Sequence, residues 1–337
     1  MQHVFYDQDA DLKSIQGVKV GIVGYGIQGR AQALNLRDSG VDVLIANRDD
    51  SYRSTAAQDG FSVQSIEQVA KLADVLLLLI PDQAHQQVYK SQIEPHLRPG
   101  RALVVAHGYS LHYKEIKPRS DMDVMLLAPR MPGRPIRDYY LRGSGVPAFV
   151  DVVQDATGNA WKTVLALAKG MGFTRPGALQ VAIAHETELD LFVEQFLVPT
   201  VVKSIQISFE ELVSAGYPPL PALMELYASG ELGEVLLLAA QVGIFQAFQQ
   251  NASPTCQFGI ATSYPQVLGS DPRSLIHDVI DRVQSGGFVK SLQREGDADY
   301  PLTKKLWAQL NSTVLSQTQE EMRKIIHLGE PPDVPAP

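Results

Sequence analysis

The first half of the chain alternates short β-rich runs with helical stretches, and this alternation restricts the fold more than any other feature. The runs have the length and the apolar content of buried strands. Strand–helix alternation at this spacing is typical of an α/β domain with a doubly wound parallel sheet. The predicted strands are 18–23, 41–46, 74–80, 102–106, 124–128 and 146–153, and the predicted helices between the first of them are 28–39 and 65–72.

The second half has a different texture, with apolar residues at helical spacing and Gly or Pro between the stretches. The predicted helices are 157–169, 181–195, 200–215, 220–228, 232–249, 272–285 and 303–327. We therefore expect a doubly wound α/β domain over residues 1–176 and an all-α domain over residues 177–328. Residues 329–337 are rich in proline and are expected to form a frayed tail.

Charge and composition exclude several classes of protein. Lys and Arg total 29 against 37 Asp and Glu, which gives a net charge of −8 without any basic run. Neither nucleic acid nor an anionic membrane is therefore an expected partner. No apolar run is long enough to span a bilayer, and the first residues lack the features of a signal peptide. A single cysteine, Cys256, excludes an intrachain disulfide and a multi-thiolate metal site. We expect a cytoplasmic enzyme.

The first predicted strand runs into a glycine-rich turn, Gly24-Tyr25-Gly26-Ile27-Gln28-Gly29, which is followed by a predicted helix. G-x-G-x-x-G in this context permits a tight turn, a close approach of the backbone to a pyrophosphate and close packing of the helix on the strand. The helix N-terminus then faces the phosphates. We expect these six residues to bind a dinucleotide, and a purely structural turn is the weaker interpretation.

The end of the second predicted strand bears on the choice of dinucleotide. An NAD site usually has a carboxylate here, whereas Arg48, Ser51 and Arg53 offer cations and a hydroxyl that suit a 2′-phosphate. NADP is therefore favoured. Asp49 and Asp50 weaken this prediction because they could repel the phosphate, and a solvated charged loop is the alternative.

Polar residues also follow the later strands of the first half. Pro81 and Asp82 follow the third strand, His107 the fourth and Arg130 the fifth. Because ligands gather at the carboxyl ends of parallel strands, these residues are expected to line a cofactor crevice.

Three carboxylates recur at helical spacing in an apolar segment of the second half. Glu186, Asp190 and Glu194 stand at i, i+4 and i+8 and would share one face of an α-helix. Like charges at this spacing are unfavourable unless a cation such as Mg²⁺ neutralises them, although a solvated acidic face remains the alternative. Glu225 is isolated among apolar residues, so it is either buried and paired or exposed to solvent.

Taken together, several motifs resemble the short type of ketol-acid reductoisomerase, over nearly the whole chain but less clearly after residue 260. The motifs are FYDQDADL (5–12), IQG (15–17), GYGIQG (24–29), NLRDSG (35–40), AHGY (106–109), QDATGN (154–159), ETELDLFVEQ (186–195) and LVSAGY (212–217). The resemblance implies a Rossmann-like NADPH-binding domain, an entwined helical domain, and active sites formed in a homodimer that assembles further in some members. It also implies two Mg²⁺ ions, migration of an alkyl group in a 2-acetolactate-like acid, and reduction of the resulting keto acid by hydride transfer.

The resemblance also implies roles for individual residues. Asp190 would bridge the two metal ions, Glu194 would bind one of them, and Glu225 would bind the other or lie on the substrate side. His107 would lie beside both cofactor and substrate, and Gly133 would lie near the nicotinamide. His85 stands where the family has a glutamine on the cofactor side. The positions expected on the substrate side are Glu186, Ser229 and Asn251.

Three of these positions depart from the family pattern. Arg130 replaces a lysine, Ser229 replaces a glutamate and Asn251 replaces a serine. An arginine stays protonated, so it stabilises charge but does not deliver a proton. The sequence therefore leaves three functions open. The first is an NADPH-dependent reductoisomerase, and the second is a homologue that only reduces another small keto acid or imine in specialised metabolism. The third is a non-catalytic homologue that binds the nucleotide.

Overall fold

The computed structural model describes residues 3–264 and 272–325, with side chains up to residue 322. These residues form two compact units, one that ends at Asp190 and one that begins at Leu191. The boundary at residue 176 remains a prediction from sequence texture, and the expected tail over residues 329–337 lies outside the described residues.

A nine-stranded sheet forms the centre of the described part of the first unit, with strand order β1-β9-β8-β7-β6-β5-β2-β3-β4. All pairs are parallel except β7 with β8 and β1 with β9. The predicted doubly wound α/β sheet is thus confirmed at its centre, and antiparallel pairs extend it on one side. The strands are β1 (Val4–Phe5), β2 (Lys19–Val23), β3 (Asp42–Ala46), β4 (Val63–Gln64), β5 (Val75–Leu78), β6 (Ala102–Val105), β7 (Asp123–Pro129), β8 (Ala148–Gln154) and β9 (Ala178–Gln180).

Helices connect these strands and cover the sheet. The predicted helices at 28–39, 65–72, 157–169 and 181–195 are present. The helices at Ser51–Gln58, Asp82–Val88, Tyr109–His112 and Gly133–Leu141 were not predicted, and the last of these lies in a Gly/Pro/Arg-rich stretch. The helices are α1 (Ile27–Asp38), α2 (Ser51–Gln58), α3 (Ile66–Leu72), α4 (Asp82–Val88), α5 (Tyr109–His112), α6 (Gly133–Leu141), α7 (Ala160–Gly170) and α8 (Ile183–Phe192). A single turn of π-helix, called a π-turn below, follows α4 at Tyr89–Ile93.

The central strands are apolar without interruption because both faces of the sheet are covered. Every residue of β5, β6 and β7 is buried. Along β5, Val75 and Leu77 pack into one core cluster, and Leu76 and Leu78 pack into the other. Successive side chains of a strand point to opposite faces, so this alternation places one cluster on each side of the sheet.

The order of the strands reverses at β2, which lies between β3 and β5. In open α/β sheets, ligands bind in the crevice at such a switch point, outside the carboxyl ends of the strands. The register pairs Val23 with Leu78 and Leu78 with Val105. The residues that follow β2, β5 and β6 therefore emerge side by side at the same edge.

The second unit is helical throughout its described residues. Its helices are α9 (Val198–Ser214), α10 (Pro219–Leu223), α11 (Glu231–Val242), α12 (Ile244–Asn251), α13 (Pro254–Ser263), α14 (Arg273–Gln284), α15 (Gly287–Asp297), α16 (Pro301–Asn311) and α17 (Val314–Ile325). Two further helical segments are π-turns, at Val193–Leu197 and Met224–Ala228. A small core contains Phe209, Leu223 and Met322.

Two helices predicted for this unit are each divided into two in the structure. The single helix expected over 232–249 is broken at Gly243, whose φ of +98° ends α11 and starts α12. The helix expected over 303–327 is likewise two helices, α16 and α17, and its last two residues lie outside the described range. Helices α13 and α15 were not predicted.

No single helix of the described chain has both the length and the apolar composition to cross a membrane. One pair passes that test only when its members are taken together, and these two segments, Pro219–Val242 and Ile244–Asn251, are bent by 115°.

Candidate active site

The glycine-rich turn between β2 and α1 is closed at its ends and open in its middle. Gly24 has a φ of +102°, and its N–H donates to the Ala46 carbonyl at 2.8 Å. A Cβ on Gly29 would lie 1.9 Å from the Gly24 carbonyl oxygen, whereas a Cβ on Gly26 would meet nothing within 4 Å. The turn therefore packs the helix tightly on the strand and leaves free space where the motif would receive a pyrophosphate.

Tyr25 contributes to this turn through its backbone only. Its side chain is fully buried, and its hydroxyl donates to Asp59 Oδ2 at 2.9 Å. Burial, together with the hydrogen bond to Asp59, raises the pKa of the Tyr25 hydroxyl well above its usual value. The Tyr25 N–H donates to Asn47 Oδ1 at 2.9 Å. The expected contact of Tyr25 with a dinucleotide stays a prediction, and it would be made by the backbone of this residue.

Asp50 organises the loop after β3. It accepts from the Tyr52 N–H at 3.0 Å and thereby caps α2, and Arg48 Nε donates to its other oxygen at 2.7 Å. Burial raises the pKa of Asp50, but the hydrogen bonds from Arg48, Asn47 and Tyr52 outweigh it and hold that pKa below its usual value. The cation predicted to attract a 2′-phosphate is thus already paired with a carboxylate.

Two other residues of this loop were expected to bind the cofactor. The exposed Ser51 is the first residue of α2. Arg53 is half-buried and donates from its two Nη atoms to the carbonyls of Asn47 and Val63, each at 3.4 Å. Arg53 therefore binds the loop backbone in this conformation.

A buried carboxylate is the centre of the site at the strand ends. The side chain of Glu186 is 0% exposed and accepts three hydrogen bonds. The donors are the Gly108 N–H at 2.8 Å, Arg130 Nη2 at 3.1 Å and His107 Nδ1 at 3.3 Å. Both oxygens of Glu186 thus accept hydrogen bonds within the protein, and the expected contact of Glu186 with substrate stays a prediction.

Arg130, which follows β7, holds a second carboxylate on the same helix. Its Nη1 donates to Asp190 Oδ1 at 3.2 Å while Nη2 bonds Glu186, so its guanidinium spans the i and i+4 carboxylates of α8. The guanidinium carbon lies 4.9 Å from the centre of the Phe149 ring. Its Nε atom is buried and finds no acceptor among the described residues.

The pKa of His107 is shifted from its usual value. Burial alone lowers its pKa, but the hydrogen bond and charge of Glu186, with smaller contributions from Asp82 and Asp190, raise it to about 9. The distance from His107 Nδ1 to Asp190 Oδ2 is 3.7 Å. His107 therefore carries a positive charge at neutral pH in this arrangement.

The chain brings these groups together through two local features. The first N–H of α8, on Ile183, donates to Asp151 Oδ2 at 2.9 Å, which fixes the start of the helix on β8. Gly108 then lets the helix approach, because a Cβ there would lie 2.3 Å from Thr187 Oγ1 and 2.5 Å from Ile183 Cγ1. A residue with a side chain at position 108 would push Glu186 away from its backbone donor.

Gly133 joins this cluster to the glycine-rich turn. A Cβ on Gly133 would lie 1.9 Å from the Ile27 carbonyl oxygen, so the start of α6 rests directly on the start of α1. Gln28 Nε2 donates to the Met131 carbonyl at 2.9 Å and strengthens the same contact. Ile27 is 48% exposed.

His85, expected beside the cofactor, is an interior residue. It is 2% exposed, and its Nδ1 and Nε2 lie 2.8 Å from Ser110 Oγ and 2.9 Å from the Ile80 carbonyl. Both ring nitrogens are thus engaged within the protein, so a direct cofactor contact is not supported. Burial lowers its pKa to about 4. Pro81, which is exposed, and Asp82, which is half-buried, stand at the start of α4 and both reach the surface.

The remaining predicted residues belong to the second unit. Glu194, Glu225, Ser229 and Asn251 are all exposed there. Glu194 and Glu225 each lie in a π-turn, a geometry that recurs at functional sites and that shifts a side chain away from α-helical spacing. The i+8 spacing of Glu194 therefore spans the end of α8 and the start of this turn, and the shared face of the three carboxylates stays a prediction. Within the described ranges, no three His, Cys, Asp or Glu side chains are grouped in a way that could hold a metal ion.

Comparison with known proteins decides the family. Residues 14–177 match the family described as acetohydroxy acid isomeroreductase, NADPH-binding domain, and residues 183–328 match ketol-acid reductoisomerase, C-terminal domain. The chain belongs to the ketol-acid reductoisomerase family. Members of this family are oxidoreductases, and the predicted resemblance is confirmed.

Named relatives cover almost the whole chain. The ketol-acid reductoisomerase (NADP(+)) of Pyrobaculum aerophilum is 39% identical over 328 residues, which cover 97% of this chain and 99% of the relative. That of Methanocaldococcus jannaschii is 36% identical over 330 residues, 97% and 99% of the two chains. A solved NADH-preferring ketol-acid reductoisomerase from an uncultured archean has a TM-score of 0.91 at 33% identity and covers 96% of this chain and 99% of its own.

The burial of His85 predicts how the stability of this fold depends on pH. The unfolded chain binds a proton at His85 below pH 6.5, whereas the folded chain does not until about pH 4. His85 should therefore destabilise the fold as the pH falls through this window, by about 3 kcal/mol in full. Urea unfolding of wild type and His85→Gln between these pH values should show a weaker loss of stability in the variant.

The matched control is His96→Gln, which changes a half-buried histidine of the same unit. It should keep the wild-type dependence on pH. Parallel curves for wild type and His85→Gln would contradict the prediction.

Proposed function

We propose that this chain is an NADPH-dependent ketol-acid reductoisomerase that acts on a 2-acetolactate-like acid. Family membership over both halves supports the reaction class. The observation that carries the proposal is the cluster of His107 and Arg130 on the Glu186 and Asp190 carboxylates, at the strand ends beside a turn fitted for a dinucleotide.

The proposed reaction has two balanced steps. In the first, the alkyl group on C2 moves with its bonding electron pair to the adjacent carbonyl carbon. The C2 hydroxyl gives up its proton and becomes a carbonyl, while the former carbonyl oxygen takes up a proton. In the second, the new C2 carbonyl carbon accepts a hydride and its oxygen accepts a proton, which yields a dihydroxy acid.

The glycine-rich turn fits a dinucleotide, because Gly26 leaves open space at the N-terminus of α1 while Gly24 and Gly29 close the turn around it. The backbone from Gly24 to Gly29 would hold the pyrophosphate, and Arg48 and Ser51 would face the ribose. NADPH bound there supplies the hydride of the second step.

Two side chains act on the substrate oxygens in this proposal. Arg130 stabilises negative charge on an oxygen through its guanidinium cation. His107, whose Nδ1 is held by Glu186, donates and recovers a proton through Nε2. Glu186 is a positioning residue for both.

Magnesium is the general cofactor of this family, but the carboxylates of the first unit do not fit it as they stand. Glu186 and Asp190 both accept from Arg130, and no metal-binding group was found among the described residues. The roles proposed for Arg130 and His107 use no metal ion.

One observation favours a second function, a reductase without isomerase activity. Arg130 stands where the resemblance implies a lysine, and it pairs with both carboxylates, so the proton donor and the metal site expected for the first step are both altered. Hydride transfer to a preformed keto acid requires less of these groups.

Turnover distinguishes the two functions. We expect the protein with NADPH and Mg²⁺ to oxidise NADPH when 2-acetolactate is added, because both steps then proceed. The measurement is the loss of NADPH absorbance, with identification of the dihydroxy acid product.

The control replaces 2-acetolactate with 3-hydroxy-3-methyl-2-ketobutyrate, which needs only the second step. Oxidation with this acid alone would support the reductase. Binding of NADPH without oxidation in either assay would contradict both enzymes and support a non-catalytic homologue.

The Arg48–Asp50 pair makes a prediction about cofactor preference. Asp50→Asn removes the carboxylate that holds Arg48 but keeps an effective cap on α2. The preference for NADPH over NADH should rise by roughly tenfold, because a freed guanidinium binds the 2′-phosphate. The measurement is the ratio of the Kd values of NADPH and NADH.

Asp49→Asn is the matched control, since it removes the same charge from the neighbouring exposed residue. An equal or larger change in this control would show that loop charge, and not the pairing of Arg48, sets the preference.

We also propose a homodimer formed by the second unit. Its surface exposes large apolar side chains on several helices, far more than an isolated surface usually carries. Gln195 faces a cavity of about 460 Å³, lined also by Lys203 and Arg282, and neither polar atom of its buried amide has a partner among the described residues. The exposed residues include Val198, Val201, Val202, Leu232, Leu236, Leu237, Phe245, Phe258, Leu306 and Trp307.

Leu236→Glu tests this dimer. A charge placed in an apolar interface should weaken association by about tenfold or more. The measurement is sedimentation equilibrium. Leu141→Glu is the matched control, because Leu141 is an exposed leucine of the first unit. A wild-type monomer, or equal weakening by both variants, would contradict the proposal.

A further inference from the structure

We propose that Arg130 and a divalent cation compete for one pair of carboxylates, so that Arg130 is the resident counter-ion of Glu186 and Asp190 and lowers the affinity of this chain for divalent metal. The inference deepens the proposed function. It rests on that function only in taking the competing cation to be a divalent metal ion.

A single guanidinium, that of Arg130, forms ion pairs with both carboxylates. Arg130 directs one Nη atom to each carboxylate, at 3.1 Å for Glu186 and 3.2 Å for Asp190. Asp190 remains 34% exposed on its side chain, whereas Glu186 is 0% exposed. The exposed side of the pair is therefore Asp190, and a metal ion that enters there meets the guanidinium before it reaches Glu186.

Arg130 is held by its backbone and by an aromatic ring as well as by the two carboxylates. Its backbone N–H donates to the Pro147 carbonyl at 2.9 Å, and its guanidinium lies over the ring of Phe149. The buried Nε has no acceptor in the described structure, which indicates that the two carboxylates, and not a third partner, determine where the guanidinium lies. Displacing it would break two charge-assisted hydrogen bonds and the contact with Phe149.

The guanidinium of an arginine differs in shape from the ammonium of a lysine, the residue that the resemblance implies at this position. A guanidinium presents several N–H groups in a fixed plane and so bonds two carboxylates at once. An ammonium group carries the same charge on one nitrogen, at the end of a flexible chain. Arg130→Lys therefore keeps the charge and removes the bridge.

The experiment measures metal binding directly, without substrate or cofactor. Mn²⁺ is titrated into wild type and Arg130→Lys at neutral pH, and free Mn²⁺ is followed by electron paramagnetic resonance. We expect Arg130→Lys to bind Mn²⁺ about 10- to 100-fold more tightly than wild type, the range typical of changes beside metal ligands. Equal affinities, or no measurable binding to either protein, would overturn the proposal.

Two further variants locate the effect. Arg134→Lys makes the same substitution at an exposed arginine of α6 and should leave Mn²⁺ affinity at the wild-type value. Adding Asp190→Asn to Arg130→Lys should abolish the gain, since Asp190 is the exposed carboxylate of the pair. A gain that persists in this double variant would place the metal elsewhere and overturn the proposal.

Circular dichroism and NADPH binding show whether each variant is folded. Because the titration contains no 2-acetolactate, its result is independent of turnover. If the chain fails the turnover assay but shows the expected Mn²⁺ affinities, the proposed reductoisomerase function is contradicted. The competition between Arg130 and the metal ion is then still supported.

Discussion

The buried carboxylate of Glu186 is the interaction on which the site depends. A charge with no exposed surface is very unfavourable unless it is paired and hydrogen-bonded, and Glu186 is satisfied by a backbone N–H, a histidine and an arginine at once. These donors come from the ends of β6 and β7. The carboxylate therefore ties two strand ends to α8 and fixes the positions of His107 and Arg130. It also keeps His107 protonated, because the neighbouring negative charge outweighs the effect of burial.

Much of the first unit could be predicted from the sequence, since buried parallel strands read as unbroken apolar runs and the glycine motif marks the first turn. The direction of β8 could not, because an apolar run is the same in a parallel and an antiparallel pair. The break at Gly243 was also missed, since a single glycine inside an apolar run is tolerated in many helices and only its φ of +98° shows the turn.

The residues of the site were easier to identify than their environment. His107, Arg130 and Asp190 were identified from strand ends, helical spacing and the resemblance, and the structure brings them together. Their pairing with Glu186 was not foreseen, because contacts across 56 to 79 residues depend on the packing of α8 against the sheet. His85 and Tyr25 follow strand ends in the sequence, yet both fold inward, and position in the sequence does not distinguish an interior side chain from one that faces a crevice.

The contact between Gly133 and Ile27 limits how this scaffold can diversify. The two backbones meet so closely that even a methyl group at position 133 would force α1 and α6 apart. Evolution, or a protein engineer, can vary the loop that carries Arg130 only at its other positions. Any insertion that displaces residue 133 would also disturb the glycine-rich turn at Ile27, so nucleotide recognition and substrate chemistry are constrained to change together.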